Sequence, residues 1–346
     1  MAYINFQPSD FFNTILYDGN GSTNARTGLG FQPDWVWIKN NTNDHDHYVF
    51  DSVRGVTKHI RPNTSDPEGT ASGVTSFDSD GFTLGNSDGM NENGRNFVAW
   101  NWKAGTTSGI TTNGTTVITP SAYSFDQSRG FSMVKFTGNG SDGTYLAHGL
   151  GKVPELLFHK STSLSGESWQ IYSAASGNQG RGFLNLSSAF NTGTGEWAST
   201  TPDNVNMRLS NDTHINSNGA TYMQYYFASI KGYSKISSWT GGGSNFPFIY
   251  TGFKPAFIIS KNTQRNENWL IHDNKRNTGN INSTKLSPND SSAQSTNAAY
   301  GLDFLSNGFK IRTSDTALNQ SGEVYLYMAI AEHPLVASNG DPATAR

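Results

Sequence analysis

One segment of this chain is written three times. An aromatic residue leads into a Gly-rich turn, a second Gly turn follows, and then Pro opens a short apolar run that ends in Lys. The first copy is Tyr17-Asp18-Gly19-Asn20-Gly21-Ser22 followed by Thr27-Gly28-Leu29-Gly30-Phe31-Gln32-Pro33-Asp34-Trp35-Val36-Trp37-Ile38-Lys39. The second is Phe136-Thr137-Gly138-Asn139-Gly140-Ser141 followed by His148-Gly149-Leu150-Gly151-Lys152-Val153-Pro154-Glu155-Leu156-Leu157-Phe158-His159-Lys160. The third is Trp239-Thr240-Gly241-Gly242-Gly243-Ser244 followed by Thr251-Gly252-Phe253-Lys254-Pro255-Ala256-Phe257-Ile258-Ile259-Ser260-Lys261. An internal repeat constrains the fold strongly, because each copy must encode the same structural unit. The period of roughly 100–120 residues exceeds solenoid and propeller units and suits a small domain.

Each copy continues alike. A polar loop precedes a second apolar strand: Tyr48-Val49-Phe50, Trp169-Gln170-Ile171 and Trp269-Leu270-Ile271. A long polar stretch follows. Hairpins are then expected at Ser76–Leu84 and Asp303–Ile311, where Asp-Gly and Asn-Gly sit between alternating apolar residues. The second copy keeps only Val205-Asn206-Met207-Arg208-Leu209 there. Each copy closes on a strand apolar at both parities: Phe97–Trp102, Tyr222–Ala228 and Val324–Ala331. Such a strand is covered on both sides or lies at a seam between units. No sustained 3.6-residue apolar period occurs, so little helix is expected.

The expected fold is all-β, three tandem β-sandwich, jelly-roll-like repeats. Their boundaries fall at 1–105, 129–232 and 233–334. Residues 106–128, rich in Thr, Gly and Ser, read as a linker or an excursion, and 335–346 as a loose tail. The near absence of a linker after Gly232 couples the second and third units rigidly.

Composition excludes several function classes. Aromatics at 12% argue against disorder, and a net charge of −3 leaves no electrostatic footprint for nucleic acid. Cysteine is absent, which removes disulfides and thiolate metal sites. The start, Met1-Ala2-Tyr3-Ile4-Asn5-Phe6, has no basic segment and no apolar core, so no signal peptide is expected. The longest apolar run, Val324–Ala331, is too short to insert in a membrane. No Gly-x-Ser-x-Gly elbow, P-loop or His-Glu-x-x-His occurs, so no enzyme and no catalytic residue is expected.

Each candidate site also has a structural reading. Lys39, Lys160 and Lys261 read either as three ligand sites or as strand-end lysines that lie on the core rim and reach water or a carboxylate; the second is favoured. Asp78-Ser79-Asp80-Gly81 resembles the start of a calcium loop, but Gly89 stands where a closing Glu would be needed, so a turn is favoured. His45 and His47 lie at i and i+2 in a loop of the first copy alone; they are kept as candidate binding residues, and neither a metal site nor a cofactor is assigned. Trp197, unique to the second copy, is the third candidate, as a stacking surface for sugars.

The chain resembles a repeat domain of virion structural and tail-fibre proteins of marine tailed bacteriophages. The resemblance rests on Tyr3–Phe12, Gly28–Lys39, Asp51-Ser52-Val53-Arg54-Gly55, Ser76–Gly85, Val98–Gly105, Tyr250–Phe257 and Asp303–Arg312. It implies a virion location and a non-enzymatic role in host attachment, with other virion proteins and a host-surface glycan as partners. It also implies a homo-oligomer, with a trimer favoured for avidity. The alternatives are a capsid decoration or tail-assembly protein and, less favoured, a polysaccharide depolymerase.

Overall fold

The computed structural model describes residues 6–178, 180–193, 195–198, 200–332, 335–336 and 342–343. The fold is all-β and sandwich-like, as the turn-punctuated apolar runs require. One strand order occurs three times. An entry strand pairs with a closing strand, the closing strand with the proline-led strand, and that strand with the one following it, all antiparallel. In the first set these are Phe12–Asp18, Asn96–Trp102, Trp35–Asn40 and Tyr48–Asp51. In the second they are Phe131–Thr137, Thr221–Phe227, Leu156–Ser161 and Gln170–Ser173, with Ala122–Asp126 and Gly182–Phe183 added at the edges. In the third they are Ser234–Thr240, Val324–Ala331, Pro255–Asn262 and Leu270–Asp273. The tail expected to be loose lies largely outside the described residues; its strands Leu335–Val336 and Pro342–Ala343 pair with each other.

Both faces of each large sheet are covered, which explains the two-parity apolar strands. Val36, Ile38 and Ala99 pack under a small sheet made by Asn24–Thr27 and the hairpin of Val74–Asp78 with Gly81–Leu84. The third set has the same arrangement, with Phe248–Tyr250 beside the hairpin of Leu302–Leu305 with Gly308–Ile311. The second has only Thr144–Ala147 paired with Asn206–Leu209. The opposite parity of all three large sheets meets in one shared core. Trp35 stacks on Tyr225 with centroids 5.1 Å apart, and Phe257 touches both Phe12 and Trp100, at 5.5 and 5.9 Å.

The repeated aromatic-Gly motif has a definite job. Its ring stacks on the start of the closing strand: Tyr17 on Phe97 at 5.1 Å, Phe136 on Tyr222 at 5.2 Å and Trp239 on Tyr325 at 4.8 Å. The following glycine permits a backbone crossing. A Cβ on Gly19, Gly138 or Gly241 would lie 2.1–2.3 Å from the carbonyl oxygen of Glu92, Ser217 or Gln320. Those carbonyls leave three one-turn helices, Asp88–Asn91, Thr213–Asn216 and Thr316–Asn319. Each helix ends in a buried Asn five residues before its closing strand. The Asn319 amide donates to the carbonyls of Gly243, Asn245 and Thr313, and its oxygen accepts from Gly242 N at 2.7 Å. Asn91 and Asn216 hold their turns in the same way. Each buried group left unpaired costs about 1–3 kcal/mol. Asn319→Ala is therefore expected to lower stability by at least about 2 kcal/mol. An unchanged urea midpoint would refute the latch role.

Candidate functional site

The three sets touch through arms of equal length. Residues 61–68 of the first set lie on the second, 183–190 of the second on the third, and 287–294 of the third on the first. Glu68 N donates to Thr162 O at 3.0 Å, Phe190 N to Thr263 O at 2.8 Å and Gln294 N to Asn41 O at 3.1 Å. Each acceptor is two residues beyond the repeated lysine. The contacts run head to tail and close into a ring within one chain, the geometry of a cyclic trimer.

The lysines sit inside these seams, not on a rim reaching water. Lys39, Lys160 and Lys261 are buried, and burial pushes each down to about 8. Backbone carbonyls hold the ammonium groups. Lys160 donates to Glu167 O at 2.8 Å and across the seam to Ser65 O at 3.3 Å. Lys261 donates to Asn262 O and Arg265 O, and across the seam to Ser187 O at 3.1 Å. The sequence shows the Lys but not the arm that closes over it, because polar arms carry no periodicity.

His47 belongs to the same ring. Strand register aligns it with Trp169 and Trp269, since Val49, Ile171 and Ile271 pair with equivalent residues of the proline-led strands. The Trp169 indole donates to Arg61 O at 2.8 Å and the Trp269 indole to Phe183 O at 2.7 Å. His47 faces the equivalent Ser287 backbone, and its Nδ1 accepts from the Trp37 indole at 3.0 Å. Burial, then nearby Lys39, drives its pKa well below the ordinary value. His45 instead lies 3.4 Å from the Glu92 carboxylate. The two histidines thus have separate partners. No group of three His, Asp or Glu side chains able to hold a metal occurs among the described residues.

Trp197 is fully buried, edge-on to Tyr172 and His159, so its face does not meet solvent. Residues 106–128 lie along the second set. Thr106 bridges Phe125, Ile118 bridges Leu146, and Ile110 packs on the core. Asp78 and Gly81 close a hairpin; Asp78 accepts from Ser76 and Thr83 hydroxyls, and Asp80 from Gly28 N and Gly30 N. These are the bonds of a turn.

Among the described residues, three rings are largely exposed. Phe246, Phe248 and Tyr250 occupy alternate positions, Phe248 and Tyr250 on the edge strand Phe248–Tyr250 of the third set and Phe246 just before it, and are 43%, 45% and 64% exposed. Ile249 between them is buried in the core. Tyr250 pairs with Gly308, where a Cβ would come within 2.9 Å of Phe248 Cζ, so the missing side chain leaves room for the ring. The Leu305–Gly308 turn joins this stripe to a cleft of about 730 Å³ lined by Asn274, Asn277, Thr278, Asn280, Ser306 and Asn307. A Lys254–Glu332 ion pair of 2.7 Å stands on its wall. The corresponding strands elsewhere, Asn24–Thr27 and Thr144–Ala147, carry no such stripe. The pattern Phe-Pro-Phe-Ile-Tyr, alternating and confined to one copy, was the signal in the sequence, and it outranks Trp197.

Scattered exposed apolar residues are ordinary; three at alternate positions on and just before one edge strand form a patch that calls for a partner. Rings beside amides and hydroxyls can stack on the apolar face of a sugar while hydrogen-bonding its rim. Among the described residues, no helix is long and apolar enough to cross a membrane. No curated protein and no solved structure matches this chain. The family model described as a domain of unknown function (DUF7483) matches residues 7–334, nearly the whole chain, and the protein belongs to that family.

Proposed function

We propose that this chain is a non-enzymatic structural protein of a phage particle, part of a tail fibre or adhesin, that contacts a host-surface glycan through Phe246, Phe248 and Tyr250. The carrying observation is the exposed aromatic stripe joined to an amide-rich cleft, on one of three otherwise similar sets. The sequence resemblance to virion proteins supports the setting. The head-to-tail surface is consumed inside the chain, so a homotrimer would have to form through a different surface. The reading is tested with purified protein, host cells and their extracted lipopolysaccharide. The double variant Phe248→Ala/Tyr250→Ala is expected to bind at least about tenfold more weakly, a loss of about 1.4 kcal/mol, with unchanged melting temperature. Undiminished binding by the variant, or no binding by wild type that still enters particles, would sink it.

A capsid-decoration role is the second reading. The ring of three similar sets favours it, because a three-fold-like body suits a three-fold lattice position. Cryo-microscopy of particles separates the two by where the density lies.

A further inference from the structure

Two openings adjoin on the third set. The cleft of about 730 Å³ beside the aromatic stripe shares Asn274, Lys275 and Glu332 with a second opening of about 380 Å³. The second is lined also by Ser9, Asn13 and Thr14 of the first set and by Ala256 of the third, so it lies across the seam between them. Asn13 and Thr14 stand on an edge strand of the first sheet, and Asn274 directly follows an edge strand of the third. Core packing fixes the distance between these edges. Phe12, next to Asn13, lies on Phe257, next to Ala256, with ring centroids 5.5 Å apart.

The shared residues are held in place by their own bonds. Asn274 N donates to Ala256 O at 2.9 Å, and the Asn274 amide donates to Glu332 Oε1 at 2.7 Å. Lys254 closes on the other Glu332 oxygen at 2.7 Å. Lys275 is exposed, and its ammonium pairs with no carboxylate among the described residues. Strand register shows that these polar side chains are peculiar to the third set. Asp273 pairs with Phe257 as Asp51 pairs with Trp35 and Ser173 with Leu156. Asn274-Lys275 therefore corresponds to Ser52-Val53 and Ala174-Ala175. Glu332, two residues beyond Ile330, corresponds to Ala104 and Ser229. The set that carries the exposed rings is thus also the one whose edge carries long polar side chains. Either opening has the size of a site for one small ligand. Two that adjoin, with rings at one end and amides and hydroxyls along the rest, suit a ligand that continues past the first. A peptide would call for apolar pockets at alternate positions, whereas these walls are mainly amides, hydroxyls and one ion pair.

We propose that the ligand is an internal run of a polysaccharide chain, which leaves the aromatic stripe along the cleft, passes over Asn274 and Lys275, and ends on Ser9 and Asn13 of the first set. This rests on the glycan reading of the stripe. It makes the closed ring part of the site, because the first set supplies the far end. The test is calorimetric titration with size-graded fragments of the host lipopolysaccharide sugar chain, on wild type, Asn13→Ala and Phe248→Ala/Tyr250→Ala. Wild-type affinity is expected to rise at least about tenfold from the shortest fragment that binds to the longer ones. Asn13→Ala is expected to weaken the long fragments about threefold and to leave the shortest unchanged. The stripe variant is expected to weaken every length. Equal affinity for short and long fragments, or wild-type binding of every length by Asn13→Ala, would overturn the extended groove and leave the stripe reading standing. Binding of no fragment by wild type would overturn both. If Asn13→Ala misfolds, the wild-type length series decides alone.

Discussion

Acidification is expected to destabilise this protein steeply, beginning at about pH 6.5, above the pH at which carboxylates are protonated. His148, His159 and His272 are fully buried, and burial is the main cause that lowers them to about 4, about 3 and about 3. Their bonds reinforce the neutral form. His148 Nδ1 accepts from Leu150 N at 3.1 Å while Nε2 donates to Asp203 O at 3.0 Å. His159 Nδ1 accepts from the Gln224 amide at 2.9 Å and Nε2 donates to His214 O at 3.0 Å. A proton on either Nδ1 would face another N–H. Unfolded imidazoles titrate near 6.5. Between that value and about 3 to 4, the unfolded chain holds more protons than the folded one, so stability falls as pH falls. Above about 6.5 the stabilising contribution is fully present. Each histidine contributes about 1.4 kcal/mol per pH unit inside the window, and three together about 4. A total stability of about 5–15 kcal/mol is then exhausted within a few units. Urea midpoints measured across this range should drop steeply, and His272→Asn should flatten the slope. A flat profile down to the carboxylate range would refute the assignment.

The second large effect concerns the seam between the first and second sets. Asp51→Ala should cost about 3–5 kcal/mol, because it strands a buried guanidinium. Asp51 and Arg54 are both fully buried as side chains, and the Tyr225 hydroxyl of the second set donates to Asp51 at 2.7 Å. The equivalent contact elsewhere is the Trp100 indole on Asp273, at 3.1 Å. The chain itself shows that the charges are dispensable as a unit. The remaining seam has Ser173, Ser176 and, at the position of Tyr225 and Trp100, Met328. The triple variant Asp51→Ser/Arg54→Ser/Tyr225→Met is therefore expected to be more stable than Asp51→Ala, although it changes more atoms. Denaturant midpoints compare the two. A triple variant less stable than the single one would mean that the ion pair contributes net stability in place.

Parts of this structure were legible from the residues. Local turn chemistry gave the hairpins around Ser79-Asp80-Gly81 and Ser306-Asn307-Gly308. The two-parity closing strands announced sheets covered on both faces. Other parts were hidden. Asn91, Asn216 and Asn319 look like loop residues, and their common offset from the closing strand is the only written trace of the latch. The i, i+2 spacing of His45 and His47 hides the role of His47, because the apolar pattern sets Tyr48, not His47, against Trp169. Backbone register corrects this by one residue. Trp197 stood out by being unique to one copy, yet a unique aromatic can as readily fill a core as face a ligand.

The sequence by itself determined what is local: strands, Gly crossings, and the aromatic that must stack beside each turn. Those follow from periodicity of two and from residues that alone tolerate a given backbone. Only the tertiary structure decided that the three sets share one core and close into a ring. It alone showed which seams are charged and where the third set leaves its rings exposed. Arms such as 61–68 bind through backbone groups, which every residue carries alike. Their partners lie 73 to 253 residues away in the chain, and a pairing at that distance is settled by which surfaces fit, not by any local preference.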